Sequence, residues 1–322
     1  MNYMIKSYNR DKISQSNFIK NYVMLLALLI LMVIGTVLSN KFIESDNIIN
    51  ILRQSSIIGI VSLGVTFVII SGTFDLSVGS TVILTGILAI SLQPYLGVFW
   101  TVIIVIGVGL LIGLINGVIV AAVKADAGDS FMLTFGMLSF LQAIALIISK
   151  GHILPGSKSA AYNFLGDGMI GFIPMPVIIF IVLTVLLYFF LTYTKPGRSI
   201  YYMGANVNVA RLSGIRIVFF RVFVYVISGL LATLAALVLT ARIKSATGTM
   251  GIGYEMDAVT AIVIGGVSLD GGKGTILNAV IGVFIIGVLS NVLSMIGVST
   301  QNQMVAKGII IIIAVCVEKL RR

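Results

Sequence analysis

The segment Gly271-Gly272-Lys273-Gly274-Thr275 is where this sequence comes nearest to phosphate chemistry. A phosphate loop follows G-x-x-x-x-G-K-[ST], so that backbone N–H groups and the lysine surround the phosphates. Here Val267 stands five before Gly272 and Gly274 follows Lys273, so the pattern fails twice and no nucleotide chemistry is expected of this chain. The other reactive side chains are isolated. His152 has no Cys, Asp or Glu at ligand spacing, which argues against a metal site. Cys316 is the single cysteine and has no internal disulfide partner. No Ser, His and acid set and no facing pair of carboxylates can be assembled for hydrolysis. No catalytic residue and no metal ligand is expected.

What remains is polar chemistry set among apolar residues. Asp75 lies between two apolar runs, and a carboxylate within hydrocarbon costs about 2.5–3.5 kcal/mol on insertion scales. It must therefore sit near an interface, find partners or line water. Two roles are open and compatible: a cap on the following helix, where free N–H groups welcome an acid, or a residue on a transport pathway. Asn116, Thr134, Gln142, Asn278 and Asn291 also stand inside apolar runs. Such groups often hydrogen-bond between helices. Phe74 and Asp75 with Asn116, Thr134 and Gln142 are the candidate lining of a substrate pathway, set against the simpler reading that they hold helices together.

The elements that carry these residues follow from composition. Of 322 residues 58% are hydrophobic and only 10% charged, with a mean hydropathy of +1.13; soluble domains run near 45–50% apolar and about 25% charged. The apolar residues come in blocks long enough, at about 1.5 Å per residue, to cross roughly 30 Å of hydrocarbon. They do not alternate as barrel strands would. The fold class expected is an all-α polytopic membrane protein with about ten transmembrane helices: 22–38, 54–71, 76–93, 98–123, 131–149, 172–193, 217–241, 256–267, 275–296 and 303–318. The first is read as an uncleaved span, because no small-x-small site follows Leu38. Short or broken helices are expected near 71–80 and 256–275, where glycines and a polar acid interrupt the runs. Gly109, Gly113 and Gly117 read as a close-packing stripe.

The net charge of +10 is spread over the N-terminal tail, the 195–221 loop and the C-terminal end, which is a topology signal and not a nucleic-acid face. With ten spans all three segments fall on the cytoplasmic side. The organisation expected is a cytoplasmic tail 1–21, one transmembrane domain 22–318 and a cytoplasmic tail 319–322. The 150–171 loop is slightly basic yet falls outside, while Tyr95 and Trp100 suit a headgroup-level anchor. Within the 195–221 loop, Asn206 to Ile215 predicts a short helix capped by Asn206 and ended at Gly214. Its apolar residues Val209, Leu212 and Ile215 would fill a partner's groove; a plain basic flank is the alternative.

The stretch Ser71 to Gly79 (SGTFDLSVG), the loop from Gly197-Arg198 to Gly214-Ile215, and Glu255-Met256-Asp257-Ala258 leading into Gly265 to Gly274 (GGVSLDGGKG) resemble the membrane permease subunit of ribose-type carbohydrate ABC importers. The motifs occur in the family's order over nearly the whole chain after residue 45. The resemblance implies a permease that pairs with a second permease chain and binds two cytoplasmic ATP-binding subunits. It also implies an extracytoplasmic sugar-binding protein as partner. ATP and magnesium would be used by the ATPase subunit, with no cofactor on this chain. The coupling element would be the loop 195–216, with Asn206, Val209, Ala210, Arg211, Leu212, Gly214 and Ile215 facing the ATPase. Two departures stand out: Val207-Asn208-Val209 where the family carries an acidic-alanine pattern, and Ala125 to Ser130 where it carries a proline turn. A nucleoside, a branched-chain amino acid or a furanose signalling molecule is the alternative cargo, and an ion-coupled secondary transporter the alternative class. The latter is disfavoured because nearly all charges lie near span ends.

Overall fold

The computed structural model describes residues 24–320; the expected tail 1–21 and the end of the 319–322 tail lie outside the described residues. The chain forms helix after helix: α1 (Met24–Leu38), α2 (Ser45–Ile70), α3 (Val78–Ser91), α4 (Gln93–Ala122), α5 (Ala127–Ser149), α6 (Ala160–Asp167), α7 (Met175–Tyr193), α8 (Lys195–Ala205), α9 (Val207–Leu212), α10 (Ile217–Ile243), α11 (Tyr254–Ile264), α12 (Ile276–Met295) and α13 (Thr300–Leu320). Six of them, α2, α4, α5, α7, α10 and α12, are long and apolar enough to cross a membrane. The protein is an integral membrane protein.

Thirteen helices among the described residues exceed the expected ten, and the surplus lies in the connections. α9 is the short helix expected in the 195–221 loop, whereas α6 and α8 are short helices whose polar content hides them from a search for apolar runs. The expectation of an all-α chain is corrected by four two-residue strands. β1 (Leu154–Pro155) pairs antiparallel with β4 (Ser245–Ala246), and β2 (Met169–Ile170) with β3 (Ile173–Pro174). The second pair closes the turn at Gly171 and the first joins two segments distant in sequence, and both pair backbone groups that would otherwise go unpaired. Some bounds also move: α2 starts at Ser45, α5 at Ala127 behind an Asp126/Asp129 capping box, and α4 at Gln93, bending at Gly97 where φ is 71°.

Because core and lipid are equally apolar, small residues decide what faces inward. α2 is the central element. Every residue from Ser55 to Ile70 is buried, and 89% of its apolar window is covered against 17% for α5. Its Ser62 and Thr66 hydroxyls bond back along the helix, to Ile58 O and Ser62 O, so these two buried donors are satisfied within α2. The expected glycine stripe packs α4 on α10. A Cβ at Gly113 would lie 2.4 Å from Tyr225 O, and one at Gly229 would lie 2.3 Å from Gly109 O. The short α11 is held near its start by the Asp257–Lys307 ion pair of 2.8 Å to α13. α6 and the β1–β4 pair gather at one end of the bundle, where Lys244 pairs with Asp167 at 2.6 Å; α8 and α9 lie at the other.

Candidate functional site

α2 stops at Ile70, and Gly72, with φ of 83°, turns the chain into a non-helical stretch ahead of α3. Backbone without helical bonds inside an apolar bundle needs other partners. Side chains from two helices, α5 and α10, supply them. Phe74 N donates to Ser130 Oγ at 2.9 Å, Leu76 N donates to Thr134 Oγ1 at 3.1 Å, and the Tyr225 hydroxyl donates to Phe74 O at 2.7 Å. Asp75, 4% exposed, accepts from Ser77 N at 3.0 Å, Ser77 Oγ at 2.6 Å and Ser228 Oγ at 2.8 Å. Asn116 Nδ2 in turn donates to Ser77 Oγ at 2.8 Å. The carboxylate thus accepts three hydrogen bonds, and α4, α5 and α10 all contribute to one network.

The second break follows α11. Gly266 turns with φ of 85°, Asn278 Nδ2 donates to Gly265 O at 2.7 Å, and Thr275 caps α12 by accepting from Asn278 N at 3.2 Å. The two breaks touch: Gly272 N donates to Ile70 O at 2.8 Å. The end of α8 is wedged beside them. A Cβ at Gly204 would stand 1.8 Å from Ile70 O and 2.7 Å from Gly272 N, and one at Gly271 would stand 2.7 Å from Gly72 Cα. Only glycine permits this approach. Tyr201 of α8 adds a 2.8 Å bond to Gly274 O, and burial pushes its hydroxyl up to about 12, so it remains a donor at neutral pH.

From this junction the chain runs directly into α9. Asn206 Oδ1 accepts from Asn208 N at 3.0 Å and Val209 N at 3.1 Å, the cap expected of it. The helix covers Val207–Leu212, shorter than Asn206 to Ile215, and ends in a turn where Gly214 has φ of 80°. Leu212 is 89% exposed and Val209 58%. Arg211 and Asn206 are also at the surface, whereas Ala210 is buried and Ile215 packs beside Met203 and Ile217. Ala210 and Ile215 therefore anchor α9 to the body, and the outward apolar face reduces to Val209 and Leu212.

Residues 47–315 match the family described as branched-chain amino acid transport system / permease component. The chain belongs to this family. A ribose import permease protein of Haemophilus influenzae is 40% identical over 90% of this chain and 90% of its own length. That of Bacillus subtilis is 37% identical over 91% of each, and a D-allose transport system permease protein of Escherichia coli is 36% identical over 91% of this chain and 89% of its own. No solved structure matches significantly.

Within this permease, Phe74, Asp75, Asn116 and Thr134 come together in the first network. Gln142 does not: it lies eight residues beyond Thr134 on α5, about 12 Å along the axis. Asp75 is not the cap of α3 either, because Ser77 holds that position and Asp75 binds the N–H of Ser77 itself. Sequence reasoning did not assign Ser77, Ser130, Tyr225 or Ser228. Ser77 lies in the first break itself, a signal that was available, whereas Ser130, in the first turn of α5, is far from that break in sequence. Tyr225 and Ser228 are three apart on one face of α10, with nothing local to name their partner across the bundle.

Proposed function

We propose that this permease forms the translocation pathway for a ribose-like monosaccharide in an ATP-driven importer of a bacterial plasma membrane. The observation that carries the reading is the junction of Gly72, Gly204 and Gly271, which joins the exposed end of the molecule at α9 to both helix breaks. Force applied at Val209 and Leu212 reaches the break backbone through rigid helix and close van der Waals contact. Alternating access then follows from an ATPase partner that binds two states of the permease unequally. The substrate class comes from the relatives named for ribose and allose import. Hydroxyl, carboxylate and amide groups near Phe74, Asp75, Asn116 and Thr134 suit a polyhydroxylated solute, and Gln142, apart from their network, would offer its amide to it.

In this reading the membrane domain 22–318 crosses ten times, with α1, α3, α11 and α13 added to the six long helices. Both termini, α8 and α9 share the cytoplasmic side, as the excess of Lys and Arg in those segments favours. The assembly comprises a second permease chain, two cytoplasmic ATP-binding subunits and an extracytoplasmic sugar-binding protein. ATP and magnesium belong to the ATPase subunits.

The test is labelled ribose uptake in proteoliposomes holding this chain with its ATPase and binding protein. Uptake is expected only with both partners, and Leu212→Asp is expected to lower it roughly ten-fold or more, as loss of a central apolar anchor does, while ATP hydrolysis continues. Uptake by the chain alone along an ion gradient would refute the importer, and undiminished uptake by the variant would refute α9 as the coupling element.

A further inference from the structure

A crevice of about 560 Å3 opens where α4 ends, α9 passes and α10 begins. Its lining includes Lys124, Arg211, Arg216 and Arg221 and no acid. The two salt bridges among the described residues, Lys244–Asp167 and Lys307–Asp257, lie elsewhere. Three of these cations are exposed, but Arg221 is only 6% exposed. Its one hydrogen bond among the described residues is long, 3.4 Å from Nη1 to Val120 O, and its buried Nε has no partner there. Asp126 lies close enough for its charge to be felt at Arg221, but its carboxylate is engaged in capping α5. A guanidinium carries five donors, and burying one so incompletely satisfied is costly unless an anion completes it. The α10 N-terminus beside it has no side-chain cap, which adds N–H groups and the positive end of the helix dipole.

The position of the crevice says which anion. Past its bend at Gly97, α4 runs as helix over 98–122, and α10 has 27 residues, so at about 1.5 Å per residue both outrun roughly 30 Å of hydrocarbon and their ends reach headgroup depth. Beside the cations, Val218 is 63% exposed, Phe219 58% and Val123 60%, an apolar margin that continues the outer faces of the two spans. A soluble anion would have no use for that margin; a lipid would lay an acyl chain on it. On α9, Val207 and Arg211 line the crevice and Leu212 does not, so the coupling face and the crevice are separate faces of one helix.

We propose that this crevice binds the phosphate group of an anionic phospholipid, with Arg221 at its base and Lys124, Arg211 and Arg216 around its mouth. The lipid would brace α4 and α10 against α9. The inference rests on membrane placement and not on the sugar reading.

The experiment titrates the detergent-purified chain with dioleoyl phosphatidylglycerol or dioleoyl phosphatidylcholine and follows the thermal unfolding midpoint. Phosphatidylglycerol is expected to raise the midpoint saturably, and phosphatidylcholine is not. In the exposed double variant Lys124→Gln/Arg216→Gln the half-saturating lipid concentration should rise roughly thirty-fold, the factor that two surface cations contribute. Arg221→Gln should abolish the gain; should it fail to fold, the double variant still decides. An unchanged half-saturation point in the double variant overturns the site. An equal gain from sodium phosphate alone overturns the lipid in favour of a soluble phosphate. Loss of the phosphatidylglycerol gain on adding the ATPase subunit assigns the cations to a partner's acidic side chains and overturns it too.

Discussion

The two breaks in this permease solve one problem in different ways. At 71–77 the stranded backbone is taken up by side chains of α5 and α10, and Asp75 accepts three hydrogen bonds at a buried position. At 265–275 side chains reach Gly265 O and Gly274 O, from Asn278 and Tyr201, but the core of the break is backbone on backbone: Gly272 N donates to Ile70 O, and glycines of three segments approach so closely that a methyl group would collide. Hydrogen bonds of the first kind fix positions, because each partner is a directional group on a packed helix. Glycine contacts of the second kind exclude side chains but specify direction weakly, so surfaces can slide. The first break therefore belongs to the rigid frame, and the second, with α8, to the part that responds to α9.

The harshest way to break that contrast is to fill the glycine junction. Gly204→Val would place atoms where Ile70 O and Gly272 N already stand, and overpacking of this kind costs about 1–3 kcal/mol or more. The expected outcome is a lowered unfolding midpoint and no measurable uptake. Normal uptake by this variant would mean that α8 and the breaks are not in contact in the working cycle.

Next in size is the polar frame. Asp75→Ala removes one acceptor for each of three donors, and a buried donor left unsatisfied costs about 1–3 kcal/mol. Asp75→Asn keeps the shape and one acceptor oxygen, while the Ser228 hydroxyl can rotate to accept. Thermal unfolding should rank wild type, Asn and Ala in descending order. Equal midpoints for Asn and Ala would show that the charge, and not the hydrogen-bond count, matters at this position.

Much of this arrangement was legible before any coordinates. Gly72, Asp75, Gly266 and Gly271 punctuate apolar runs, and so both breaks could be placed; Asn206 and Gly214 bracket a short helix, and α9 lies between them. What could not be read is who meets whom. α4, α5 and α10 are apolar on every side, so periodicity does not separate the interior face from the lipid face, and Ser228 looks no different from a serine in lipid. α8 escaped for the opposite reason: Lys195 to Ala205 is too polar to register as a span, yet Gly204 at its end is the residue that reaches Ile70. Ile215, expected on the docking face, turns inward because the chain reverses at Gly214.

The smallest expected effects sharpen the comparison best, because the same deletion can be made on each side. Tyr225→Phe removes the bond to Phe74 O in the first break, and Tyr201→Phe removes the bond to Gly274 O in the second. Each loses one hydrogen bond, about 1 kcal/mol by the usual net value. Tyr225 is fully buried, so the abandoned carbonyl finds no water and the loss should fall on stability, visible as a lowered unfolding midpoint with the ratio of sugar imported to ATP hydrolysed unchanged. Tyr201 is half-buried, so water can replace its hydroxyl and the midpoint should hardly move. Yet it is a tie between α8 and the second break, and loosening it should lower the import-to-hydrolysis ratio. If instead both variants lower the midpoint alike and leave that ratio alone, the two breaks are mechanically equivalent and the division into frame and moving part is wrong.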